Sequence, residues 1–175
     1  FDCPHCHFRF FFSASNAEFL QLHMDLDDFD RQLLARVQAD ASLTAEQLAE
    51  AVALSPSAIQ RRLRRLREGG VIEREVAVLD PGRVGSPASF ITSLYLHHER
   101  PDQVETLRRA LAHELAVQQA YYVTGEADYV LVVVAPDVAR YEALMAGLMV
   151  RHPCIQRYAT QVVLAIVKRG LALPL

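Results

Sequence analysis

The residues with the clearest capacity for chemistry lie in one arginine-rich segment, residues 55–65. From Arg61 to Arg74 the chain carries six arginines and two glutamates, although its formal net charge is −3. Guanidinium groups bind phosphate and guanine edges, and glutamine amides pair with adenine. This local excess of positive charge predicts that the segment binds double-stranded DNA. The predicted DNA-contacting residues are Ser55, Ser57, Gln60, Arg61, Arg62, Arg64 and Arg65.

Three short helices would position these side chains. Thr44-Ala45-Glu46-Gln47 has the pattern of a capping box, which begins the second helix. After a three-residue turn, Ser55 caps and Pro56 begins the third helix, and Gly69-Gly70 ends it. This arrangement predicts a helix-turn-helix domain over residues 24–78, whose last helix enters the major groove. Val71–Val78 then alternates apolar and polar residues, which predicts a wing or an interdomain strand.

Residues 79–87 are dense in glycine and proline and predict a hinge. Beyond the hinge the pattern predicts strands over 88–97, 117–123, 128–134 and 155–168. Two helices lie between them: a D-x-x-E pattern, Asp102–Glu105, resembles the cap of the first, and Asp137 caps the second. The order βαββαβ is that of a ferredoxin-like domain, over residues 88–169, and residues 170–175 form a tail. The predicted fold class is α+β, with a winged-helix-like N-terminal domain and this ferredoxin-like C-terminal domain.

Two helices cover only one face of such a sheet, and the strands carry more apolar residues than one face needs. A sheet-to-sheet homodimer would bury the second face. The apolar residues that we expect on this second, uncovered face are Tyr121, Val123, Leu131, Val133, Val162, Leu164 and Ile166.

Residues 1–23 differ from the rest of the chain, and we interpret Met24 as the natural start. The preceding segment would then be a non-native or disordered extension: vector sequence, translated upstream sequence, or a genuine but dispensable extension. The run Cys3-Pro4-His5-Cys6-His7 matches the C-x-x-C-H spacing of haem attachment, and its cysteines and histidines could supply part of a zinc site. No export signal accompanies the haem spacing and no second ligand pair lies nearby, so we expect neither cofactor nor metal. Three cysteines without a framework spacing, and no apolar run long enough to span a membrane, indicate a cytoplasmic protein.

The order of short motifs over residues 25–169 resembles the leucine-responsive/asparagine regulator (Lrp/AsnC, "feast/famine") family of transcription regulators. In the first domain the motifs are Leu26-Asp27-x-x-Asp30-x-x-Leu33-Leu34, Leu48-Ala49-Glu50, Leu54-Ser55-Pro56-Ser57, Arg61-x-x-Arg64 and Gly70-Val71-Ile72. In the second they are Thr124-Gly125-Glu126-x-Asp128-Tyr129, Tyr141, Thr160 and Val167-Lys168. The resemblance implies a regulator of amino-acid metabolism or transport, built from dimers that often assemble into octamers.

The resemblance also implies an amino-acid effector bound at a subunit interface, beside the loop that carries Thr124 and Asp128. Asp128 could accept the ammonium group, and backbone N–H groups around Gly125 could hold the carboxylate. The alternative is that Gly125 only permits a tight hairpin and Asp128 only caps it. The implied effector residues are Tyr122, Thr124, Gly125, Glu126, Asp128, Val138, Thr160, Gln161, Val162 and Val163.

Two other functions remain to be weighed against an effector-responsive regulator. An architectural protein that wraps DNA without an effector would carry the same basic helix. An enzyme is not expected, because the sequence offers no Ser/His/Asp constellation, phosphate-binding glycine loop or paired catalytic carboxylates.

Overall fold

The computed structural model describes residues 24–97 and 100–175. These residues form two compact units. The first contains residues 24–76 together with Gly170–Leu175, and the second is Ala77–Arg169. The predictions made for residues 1–23, including Cys3, His5, Cys6 and His7, lie outside the described residues.

The first unit contains three helices: α1 is Asp28–Val37, α2 is Ala45–Ala49 and α3 is Pro56–Glu68. The predicted capping box of α2 is confirmed, because Gln47 N–H donates to Thr44 Oγ1 at 3.3 Å and Thr44 N–H donates to Gln47 Oε1 at 2.9 Å. Ser55 Oγ accepts from Ala58 N–H at the start of α3. Gly70 follows the end of α3 with φ +72°, the left-handed conformation that favours glycine.

The core of this unit joins the three helices. Its buried members are Leu33, Leu34, Val37, Ala45, Leu48, Val52, Ile59, Leu63 and Leu66. Residues 73–80 form no strand. The wing or interdomain strand predicted over Val71–Val78 is therefore wrong for a single copy of the chain. Their alternation meets the side-chain requirement of a strand, but a strand also needs a neighbouring strand to hydrogen-bond, and the described residues supply none.

The second unit has the predicted βαββαβ order. Its elements are β1 (Ala88–Leu96), α4 (Pro101–His113), β2 (Val117–Tyr122), β3 (Tyr129–Ala135), α5 (Val138–Arg151) and β4 (Ile155–Val162). The strands form one antiparallel sheet in the order β2-β3-β1-β4, which confirms the ferredoxin-like prediction. The core under the two helices includes Phe90, Leu94, Leu107, Leu111, Leu131, Val133, Tyr141, Met145 and Leu148.

The structure corrects the expected composition of the open sheet face. Leu131 and Val133 are fully buried against the helices rather than on the second face. Their neighbours Val130, Val132 and Val134 alternate with them and are only partly buried. Every residue of β3 except the terminal tyrosine and alanine is Val or Leu, so its sequence alone could not say which set faces the helices.

Two element ends also differ from expectation. Strand β4 stops at Val162 instead of Lys168, because β1 pairs with it only from Phe90 onward and a last bond joins Val163 N–H to Ser89 O. The N-cap of α4 is Arg100, with no side-chain cap, so the expected capping box at Asp102 is wrong. Pro101 occupies the first turn, where its fixed φ favours helix initiation.

Candidate nucleic-acid interface and effector residues

The outward side of α3 carries the predicted DNA-contacting residues. Arg61 and Arg64 are exposed, and within residues 24–97 and 100–175 neither has a carboxylate partner. Arg67, on the same helix, donates to Glu75 Oε1 through Nε at 3.0 Å and Nη2 at 2.7 Å. Arg61 and Arg64 are therefore the α3 arginines whose charge no carboxylate offsets within the described residues, which leaves all of their donors for phosphate or base edges.

The polar residues at the start of α3 have mixed roles. The Ser55 hydroxyl caps the helix and lies 3.2 Å from Ser57 Oγ. Gln60 is exposed one residue before Arg61. Because Ser55 is used in capping, Ser57 and Gln60 are the better placed of the three to contact a duplex.

Arg62 does not point outward as predicted. Its Nη1 donates to Asp27 Oδ2 at 2.7 Å and to Asp30 Oδ1 at 2.9 Å, and its guanidinium lies 5.6 Å from the Phe29 ring centroid. Arg65 also bonds Asp30, through Nη2 to Oδ2. The α1 carboxylates thus hold Arg62 against the helix core, which is the physical reason that it leaves the outward set.

The buried carboxylate of Asp30 is the residue that the sequence-based reasoning missed. Its side chain is fully buried, and its Oδ2 also accepts from Asp27 N–H at 3.3 Å. Asp27 in turn accepts from Asp30 N–H, and that bond, together with Arg62, lowers the pKa of Asp27. The spacing in the sequence could have indicated its burial, because Asp30 lies four residues after Leu26 and three before Leu33 and so shares their apolar helix face.

The implied effector residues fall into two groups within one chain. The first surrounds the hairpin between β2 and β3, where Gly125 has φ +130°. Asp128 Oδ2 accepts from Leu96 N–H at 2.7 Å, so one carboxylate oxygen joins the end of the hairpin to the end of β1 and does not bond the hairpin's own backbone. Asp128 Oδ1 has no protein partner within the described ranges. The members of this group are Tyr122, Thr124, Gly125, Glu126 and Asp128.

The second group lies at and near the end of β4 and at the start of α5. The Thr160 hydroxyl is 2.6 Å from Tyr141 Oη, which is also 2.8 Å from Oγ1 of the fully buried Thr92. Thr160 is therefore tied to the core of the sheet. The other members, Val138, Gln161, Val162 and Val163, include two half-exposed valines, at 138 and 162.

The sheet separates these groups. In the observed register Tyr129 pairs with Leu94 beside the hairpin, whereas Val163 bonds Ser89 towards the opposite end. With a rise of about 3.4 Å per residue and strands about 4.8 Å apart, Asp128 and Val163 are about 20 Å apart along the strands alone. One chain therefore does not gather all ten residues around one small ligand.

A cavity of about 380 Å³ opens between α4 and β2, lined by Tyr122 and Tyr129 among others. Of the implied effector residues, only Tyr122 lines it. Over the described part of the chain, no cluster of three or more His, Cys, Asp or Glu side chains could hold a metal ion. None of the helices in those ranges is both long and apolar enough to cross a membrane.

Comparison with known proteins agrees with the two-unit architecture. Residues 26–73 match a winged helix-turn-helix DNA-binding domain, and residues 89–173 match the Lrp/AsnC ligand binding domain. The chain is 40% identical over 163 residues to the HTH-type transcriptional regulator y4tD of Sinorhizobium fredii, covering 93% of this chain and 96% of that one. It is 30% identical over 146 residues to the leucine-responsive regulatory protein of Escherichia coli, covering 83% and 89%.

A solved structure of a transcriptional regulator from Neisseria meningitidis, in complex with L-Met, superposes with a TM-score of 0.81. The two sequences are 27% identical, and the match covers 86% of this chain and 97% of that one. These similarities define a DNA-binding transcription regulator. The chain belongs to the Lrp/AsnC family, with a helix-turn-helix domain followed by the family's ligand-binding domain.

Proposed function

We propose that this protein binds DNA sequence-specifically through α3 and regulates transcription in response to an amino acid or a related small molecule. The observation that carries the DNA-binding assignment is the pair of exposed arginines, Arg61 and Arg64, on a capped helix backed by a buried core. Ser57 and Gln60 complete the contact surface, and Arg65 contributes its exposed side.

The effector site proposed here is built from two copies of the chain. The hairpin group around Asp128 and the β4 group around Val163 are too far apart to meet within one subunit, but a neighbouring copy can bring one beside the other. A homodimer, with further assembly to an octamer, provides such interfaces. The related regulator bound to L-Met supports an amino-acid ligand.

The ligand acts by binding and not by turnover. An amino acid that binds one assembly or interface geometry better than another shifts the population and so changes occupancy of DNA. The chain acts where the DNA is, in the cytoplasm, and needs no cofactor for this role.

The test is a gel-shift titration with the DNA upstream of the protein's own gene, repeated with each of the twenty common amino acids. We expect this DNA to be retarded at lower protein concentration than a scrambled duplex of the same length, and the midpoint to change with at least one amino acid. Calorimetry with the same panel measures effector binding directly.

An architectural role remains the second candidate because the basic helix alone would support it. It predicts retardation of many sequences with equal midpoints and no heat from any amino acid at protein concentrations well above micromolar. That combined result would replace the proposed function with DNA wrapping.

A further inference from the structure

We propose that Asp30 is a positioning residue for DNA recognition: its buried carboxylate withdraws Arg62 from the duplex and aims Arg65 towards it. This inference rests on the proposed DNA-binding function of α3. It assigns a specificity role to an acidic residue that lies on α1 and does not itself face the duplex.

The contacts of Asp30 separate two arginines of the same helix. Arg62 meets both Asp27 and Asp30, and only 22% of its side chain is exposed. Arg65 meets Asp30 alone, through Nη2, and 48% of its side chain remains exposed. A guanidinium has five N–H donors in a rigid plane, so one bond to Asp30 leaves Arg65 with donors for a phosphate or a base edge.

The burial of Asp30 fixes the positions of both arginine side chains. A fully buried carboxylate is costly unless charged donors satisfy it, so the two guanidinium groups are held in place by its need for partners. An arginine restrained in this way loses less side-chain entropy when it binds, which favours one geometry over others. A released arginine would instead contact phosphates wherever it reaches them, and phosphate contacts carry no sequence information.

The consequence is that Asp30 lowers general DNA affinity while raising discrimination. Replacing it with a neutral side chain of the same shape frees Arg65, which stays on the DNA-binding helix, and leaves Arg62 bonded to Asp27 alone. Non-specific binding should strengthen and become more salt-dependent, while the ratio of specific to non-specific affinity falls. A purely structural role would weaken both kinds of binding together and leave their ratio unchanged.

The test compares Asp30→Asn with the parent on two duplexes, one selected from a random-sequence pool by the parent protein and one with that sequence scrambled. We expect the ratio of the two affinities to fall at least about fivefold, the lower range for one well-oriented arginine–base contact. Asp28→Asn is the matched control, because it removes the same charge from the same helix at an exposed carboxylate that bonds no α3 arginine within the described residues. It should keep the parent ratio.

Arg65→Ala keeps the inference testable if Asp30→Asn does not fold, since Asp30 retains Arg62 as a partner. We expect Arg65→Ala to reduce the affinity ratio by a similar factor, and the double variant to show no further decrease. An unchanged ratio in Arg65→Ala, or equal ratios in Asp30→Asn and Asp28→Asn, would overturn the inference. If Arg61→Ala and Arg64→Ala also leave DNA binding intact, the proposed function itself fails.

Discussion

Substituting the two unpaired arginines of α3 should change how steeply DNA binding depends on salt. Arg61→Ala and Arg64→Ala remove cations that no carboxylate neutralises within the described residues. Both side chains are exposed and outside the core, so the fold of the first unit should survive. The expected effect is a smaller number of counterions released from the DNA when the protein binds.

The size of the effect follows from the number of DNA phosphates that the variant no longer neutralises. Each phosphate neutralised on B-DNA contributes about 0.9 to the slope of log affinity against log salt concentration. Removing both arginines should reduce the slope by about 1.8 for each DNA-binding domain. Between about 50 and 200 mM salt, the affinity of the double variant should then fall about tenfold less than that of the parent.

Fluorescence anisotropy with a labelled duplex, titrated at several salt concentrations, measures the slope directly. Arg67→Ala is the matched control, because that arginine lies on the same helix but both of its bonded nitrogens already donate to Glu75. Its removal should change the slope by less than half a unit.

The reasoning is refuted if the double variant keeps the parent slope while its circular dichroism and oligomeric state match the parent. It is equally refuted if Arg67→Ala lowers the slope as much as Arg61→Ala does. The first result would mean that Arg61 and Arg64 do not neutralise DNA phosphates, and the second that pairing with Glu75 does not keep Arg67 from the duplex.

Three further predictions concern the second unit. Tyr141→Phe leaves the buried Thr92 hydroxyl without its 2.8 Å partner and should lower the free energy of unfolding by about 1–3 kcal/mol, seen as a lower urea midpoint. Burial lowers the pKa of His152 below its ordinary 6.5, so the unfolded chain binds the proton first as pH falls. The contribution of neutral His152 to stability should be complete above pH 6.5 and should be lost as the pH falls below it, and His152→Asn should weaken that decline. Gly125→Ala places a side chain at φ +130° and should cost on the order of 1–3 kcal/mol in thermal unfolding; an unchanged melting temperature would contradict the strain.

The sequence predicted the ends of helix α3 better than the end of strand β4, for a physical reason. Helix α3 was predicted from Pro56 to Glu68 because its cap and stop are local, and the structure has the same bounds. Strand β4 was predicted too long because Leu164 and Ile166 continue the apolar pattern. A strand ends where its neighbouring strand stops pairing with it, and the sequence around β4 does not show how β4 pairs with β1.

For the candidate sites too, local spacing was predicted correctly and contacts between distant residues were not. Helical spacing was enough to place Arg61 and Arg64 outward on α3. It could not show that Arg62 turns to Asp30, because that ion pair joins residues 32 positions apart on different helices. Nor could the resemblance show that Asp128 and Val163 lie far apart, since their separation depends on the strand order of the sheet.

The last six residues have a practical consequence for dissecting the protein. Gly170–Leu175 belongs with the first unit, where Gln38 Nε2 donates to Leu173 O and Gln38 Oε1 accepts from Leu173 N–H, both at 2.9 Å. An isolated fragment that stops at Val76 therefore lacks a piece of its own unit, and an affinity tag fused after Leu175 lies near the residue that bonds Gln38 at the end of α1. Supplying residues 170–175 as a synthetic peptide, or grafting them through a short spacer, is the rational way to prepare that fragment for spectroscopy.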